Sequence, residues 1–230
     1  MTSQHQDESF CPQSRVLFVS DSRGKGVEAY TKTIGFRVDN RIRGGATLRK
    51  LGQIAQTSAS KSEYDLIVIQ GGICNLTKRE TGKSGERLLQ YSRGEEARVA
   101  NIEDIKHTLQ ALRLRFGPKL IFCTVIPADL HSYLKANNNY DTDRDLREHL
   151  AIQQSQLIDD INDINRYIVS ISRAAGRKTI EWHKFVQRHS KKRKRKGSQL
   201  FKPSVTAFSN RYLQDDGVHF LVSANLYQWP

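Results

Sequence analysis

Apolar residues gather in three short runs, each stopping at glycine or proline. Arg15-Val-Leu-Phe-Val-Ser20 leads into Asp21-Ser-Arg-Gly-Lys-Gly26, Asp65-Leu-Ile-Val-Ile-Gln70 into Gly71-Gly72, and Lys119-Leu-Ile-Phe-Cys-Thr-Val-Ile126 into Pro127. Runs of this length, rich in β-branched residues, predict strands buried on both faces. Between them the period changes. Val99, Ile102, Ile105, Leu109, Leu112 and Phe116 recur at three- and four-residue steps and end at Gly117-Pro118, which predicts a helix with a stop signal. Leu157, Ile161, Ile164, Ile168 and Ile171 predict a second helix over 145–175, closed by Gly176.

Strands alternating with helices imply right-handed parallel crossovers and an α/β fold whose sheet is covered on both faces. Active sites of such folds gather at the carboxyl ends of the strands. Two polar stretches, 77–94 and 131–142, are long for loops of a compact domain and are expected to be surface insertions or lids.

A chain of 230 residues fits one domain, here 15–230, preceded by a polar tail over 1–14 that is expected to be disordered. Hydrophobic residues make up 37% and charged residues 27%, which excludes a bulk membrane protein and a wholly disordered chain. No stretch approaches the roughly 18 apolar residues of a membrane span, and secretion is not signalled at the start. Cys11, Cys74 and Cys123 form no CxxC pair, so a reducing, intracellular setting is expected, nuclear or cytoplasmic. The histidines are too scattered for a metal site, and Gly24-Lys-Gly26 lacks the spacing of a nucleotide-binding loop, so neither metal nor cofactor is expected.

Charge adds a second feature. The formal net charge is +13, and Lys191, Lys192, Arg193, Lys194, Arg195 and Lys196 stand in one unbroken run. Six adjacent cations repel one another on a folded surface, so a basic loop at about 188–204 is expected, serving as a nuclear-import address or a nucleic-acid contact. Phosphate contacts of this kind weaken steeply with salt and carry little sequence preference.

Candidate chemistry lies at the two ends of the chain. Ser22 stands one turn past the first strand, where a hydroxyl can be exposed at a helix start. Alone it reads rather as a helix cap supplied by Asp21 or Ser22. Asp216-Gly-Val-His219 places an acid three residues before a histidine, a spacing that lets a carboxylate orient an imidazole; alone it reads equally as a turn.

Four blocks in order resemble the SGNH (GDSL-type) hydrolases: Val19-Ser-Asp-Ser22, Ile42-Arg-Gly-Gly45-Ala-Thr-Leu48, Ile69-Gln-Gly-Gly72-Ile-Cys-Asn75-Leu, and Asp216-Gly-Val-His219. The resemblance implies a flavodoxin-like, three-layer α/β/α sandwich with a mostly parallel central sheet. It also implies a serine esterase acting on a small carboxylic or O-acetyl ester. Ser22 would be the nucleophile, His219 the base and Asp216 its orienting acid. The oxyanion hole would comprise the N–H of Ser22, the N–H of Gly45 and a side-chain donor, Asn75 or Cys74. Aligned without gaps, Cys74 falls on the family's asparagine, Asn75 on the family's aspartate and Ser20 on a glycine. The alternative is a catalytically weakened module of the same fold, of viral or mobile-element context, that binds nucleic acid through its basic loop.

Overall fold

The computed structural model describes residues 14–25, 37–82, 85–91, 94–138 and 144–183. The three apolar runs become strands β1 (Arg15–Ser20), β3 (Leu66–Gln70) and β6 (Leu120–Phe122). A fourth strand, β2 (Arg37–Ile42), joins them in a parallel sheet of order β2-β1-β3-β6. Strand β1 is central and pairs on both sides, with Ser20 opposite both Ile42 and Gln70. Beyond β6, Cys123 pairs with Ile180 in a parallel bridge, so the sheet gains a fifth position. The third predicted strand is shorter than the apolar run suggests. Past Cys123 the N–H and C=O of Val125 both bond to the Asn165 side chain, at 2.7 and 2.8 Å, which takes them out of the ladder.

Both faces of the sheet are apolar. On one, Leu17, Val19, Ile67, Ile69, Leu120 and Phe122 meet helices α1 (Leu48–Ala59), α3 (Glu95–Phe116) and α5 (Arg144–Ala174) in the main core. On the other, Val16, Phe18, Val68 and Cys123 pack with Ile126 and Trp182. A parallel strand with apolar residues on both sides needs cover on both, as a three-layer α/β/α sandwich provides.

The predicted helices form where their periodicity places them. Helix α3 stops at Gly117, whose φ of 54° few other residues adopt comfortably. Arg113 fastens that end by donating to the carbonyls of Gly117 at 2.9 Å and Leu120 at 2.8 Å. Helix α5 ends before Gly176, φ 66°.

The described residues of the two polar stretches form regular elements. After the short helix α2 (Ile73–Leu76), strands β4 (Thr77–Thr81) and β5 (Arg87–Tyr91) form an antiparallel hairpin. Leu88, Leu89 and Tyr91 insert into the main core. The Tyr91 hydroxyl donates to Asp160 of α5, and its N–H donates to Gln153 at 3.2 Å. Helix α4 (Leu130–Asn137) follows β6, and Asn138 bonds to the N–H and C=O of Arg87 at 2.7 and 3.0 Å. These segments are therefore packed walls of the carboxyl end of the sheet, with polar residues on their outer sides.

Candidate active site

The carboxyl ends of β1, β2 and β3 converge on one cleft. Strand β1 holds its pairing to the last residue: the N–H of Asp21 donates to Gln70 O at 3.3 Å and that of Arg43 to Ser20 O at 2.8 Å. The chain then turns sharply into one turn of 3-10 helix, Ser22–Gly24. Asp21 caps the turn, its carboxylate accepting from the N–H of Arg23 at 2.9 Å. The capping role that sequence allowed for Asp21 thus coexists with a half-buried position for Ser22 on the cleft. As first residue of the turn, Ser22 has an N–H with no acceptor inside it, the condition for a free donor.

Loop 43–47 lies beside this turn. A Cβ built on Gly44 would come within 3.9 Å of the Ser22 Cβ. Gly45 has a φ of 70° and open space where a side chain would sit. The cleft, about 320 Å³, is lined by Ser22, Gly45, Cys74 and Ala128, with Lys78 and Arg79 of β4 also contributing. Asn75 lines the neighbouring cavity of about 360 Å³, and Cys74 lines both. The Asn75 side-chain oxygen accepts from the N–H of Leu48 at 2.8 Å, in the first turn of α1. That bond ties the loop after β3 to the loop carrying Gly45. Of the two sequence candidates for the side-chain donor, then, Cys74 stands in the Ser22 cleft and Asn75 braces the Gly45 loop. Gly72, with φ 116° and only 3.0 Å between a built Cβ and Val125, permits the turn that presents them.

Burial pushes the Cys74 thiol up to about 11; the Asp21 carboxylate raises it further, while Arg23 and Arg79 oppose the shift. The group in the cleft is therefore a neutral thiol at physiological pH, a weak hydrogen-bond donor.

Behind the cleft, two buried amides of α5 grip the chain between β6 and α4. Asn165 holds Val125 at both backbone groups. Gln154 accepts from the N–H of Leu130 at 2.7 Å and donates to Ala128 O at 2.8 Å. The buried Arg23 guanidinium donates to Ile126 O within the same segment, joining the residue after Ser22 to a braced support. Sequence reasoning missed Arg23, Asn165 and Gln154, because a polar residue on a helix or in a loop is ordinarily read as solvated. The signal available was that Gln154 and Asn165 lie 11 residues apart, three helical turns, on the apolar side of α5.

Asp216, His219 and the basic run Lys191 to Lys196 lie outside the described residues. Among the described residues, no cluster of three or more metal-ligating side chains occurs, and no helix is long and apolar enough to cross a membrane.

The architecture matches solved structures over nearly the whole chain. A lipase/acylhydrolase from Enterococcus faecalis aligns with a TM-score of 0.59 at 13% identity, covering 94% of this chain and 92% of that one. This is the SGNH hydrolase fold. A GDSL-like lipase from Bacteroides thetaiotaomicron gives 0.55 at 16% identity, covering 94% and 84%. A variant of an acetyl xylan esterase from Geobacillus stearothermophilus gives 0.56 at 15% identity, covering 93% and 89%. The sequence itself matches no family model and no curated protein. At such identities the SGNH likeness is one of fold, and chemistry must be argued from the site.

Proposed function

We propose that this protein is a serine hydrolase acting on small carboxylic or O-acetyl esters. The observation that carries the reading is the meeting of Ser22, Gly45 and Cys74 in one cleft at the carboxyl edge of an SGNH-type sheet. Ser22 Oγ attacks the ester carbonyl carbon while His219 takes its proton, and Asp216 holds the imidazole in the required tautomer. The oxyanion is received by the N–H groups of Ser22 and Gly45, with the Cys74 thiol as a weak third donor. The carbonyl re-forms as the alcohol departs with the proton from His219. Water, deprotonated by His219, then releases the acid and restores Ser22.

A fluorophosphonate probe tests the reading directly. Labelling is expected in the unaltered protein and lost in Ser22→Ala and His219→Ala. A folded protein that neither labels nor turns over any ester would overturn it. The second reading, a weakened SGNH-type module binding nucleic acid, draws on the six-cation run and the +13 charge. It predicts salt-sensitive RNA or DNA binding that disappears when 191–196 is deleted.

A further inference from the structure

Among the described residues, the ionisable groups that line the Ser22 cleft carry one sign of charge. Arg23, Lys78 and Arg79 are its ionisable lining groups besides the neutral Cys74 thiol, and no carboxylate of a described residue lines it. Arg23 is buried and engaged with Ile126 O, so it belongs to the floor. Lys78 and Arg79 project from β4 and are exposed. Lys78 and Glu80 stand two apart on β4 and so share a face, 3.6 Å apart, and both line the neighbouring cavity, whereas Arg79 between them points to the opposite face. The Arg79 guanidinium lies 5.9 Å from the centre of the Tyr133 ring on α4, and Arg79 is level with Leu89 of β5, which also lines the cleft. A concave site lined by one sign of charge concentrates ligands of the other sign.

We infer that the cleft selects an ester carrying a negative charge, a carboxylate or a phosphate, which Arg79 holds at the rim while Ser22 faces the carbonyl. This rests on the serine-hydrolase reading and adds the substrate class to it. A planar guanidinium grips either anion through paired N–H donors.

The test compares 4-nitrophenyl butyrate with mono-4-nitrophenyl succinate, which differ by a carboxylate in place of the terminal methyl; 4-nitrophenyl 4-phosphonobutyrate extends the comparison to a phosphorus oxyanion. The unaltered protein is expected to favour the anionic substrates in kcat/KM. Arg79→Gln should reduce that preference, read as the ratio of kcat/KM for the anionic over the neutral ester, on the order of three- to ten-fold. Raising salt from about 0.02 to about 0.5 M should erode it in the unaltered protein. Equal kcat/KM for neutral and charged esters, with no salt effect, would overturn the inference and leave the hydrolase reading intact. Binding to Ser22→Ala, followed by titration calorimetry, separates the two in the other direction. If no ester is turned over but the anionic esters still bind more tightly, and Arg79→Gln in that background abolishes the difference, the charge selection stands without the chemistry. Equal binding overturns it.

Discussion

Ser20 and Gly24 form a coupled pair beneath Ser22. A Cβ built on Gly24 would lie 2.5 Å from Ser20 Cβ, 2.6 Å from Ser20 Oγ and 2.8 Å from Phe18 Cε1. The first is a rigid contact, and Phe18 is fully buried, so neither neighbour can swing away cheaply. Gly24→Ala should therefore cost about 3 kcal/mol, the upper part of the range for overpacking a filled interior. Ser20→Gly has its own cost. The Ser20 hydroxyl donates to Gln70 Oε1 at 3.2 Å in a buried setting, and a glycine in a strand loses further conformational entropy. Together these amount to about 2 kcal/mol. In the double variant the serine atoms that clash with the added methyl group are gone, so the two costs should not add: the measured total should fall short of about 5 kcal/mol by about 1–2 kcal/mol. Chemical denaturation of the four proteins measures the cycle. Additivity within about 0.5 kcal/mol would refute the reasoning, since it would mean that Ser20 is not what excludes a side chain at Gly24.

Three further outcomes are expected. Cys74→Asn places a strong amide donor in the Ser22 cleft and should raise kcat for a small ester about ten- to a hundred-fold, whereas Cys74→Ala should change it less than about three-fold; unchanged or lower kcat in the asparagine variant would remove Cys74 from the oxyanion region. With its thiol pushed up to about 11, Cys74 should be alkylated by iodoacetamide at pH 8 at least about tenfold more slowly than a free cysteine, and faster as pH rises toward that value because the thiolate is the reactive form; peptide mapping at pH 8 and pH 10 checks this. Asn165→Leu leaves both backbone groups of buried Val125 without their partner and should cost about 2–4 kcal/mol in denaturant unfolding, with fluorophosphonate labelling of Ser22 slowed under native conditions, while exposed Gln53→Ala should change stability by less than about 0.5 kcal/mol.

Local pattern alone marked β1, β3, α3 and α5 among the elements that fill the core. Continuous apolar runs mark β1 and β3 because a parallel strand is buried on both faces, and the three- and four-residue steps of α3 and α5 mark helices facing that sheet. Strand β2 escaped because it is half-buried at most of its positions, so Arg37-Val-Asp-Asn-Arg-Ile42 carries too few apolar residues to stand out. The hairpin β4–β5 escaped for a related reason: Lys78, Arg79 and Glu80 interrupt any apolar pattern, and of its residues Leu88, Leu89 and Tyr91 reach the core.

The Ser22 block was legible because a serine just past a buried strand is a local feature. Which donor accompanies it was not. Cys74 and Asn75 are neighbours in sequence, and only the path of the Gly72 turn and the bond from Leu48 to Asn75 decide which of them enters the cleft. The same holds for Asn165, Gln154, Lys78 and Arg79. Each is an ordinary polar residue by sequence, and its partner or its place on the cleft comes from residues far along the chain. Burial pattern is written in local order and can be read from it; the pairing of polar groups across the fold is a property of tertiary contact, and only the folded chain decides it.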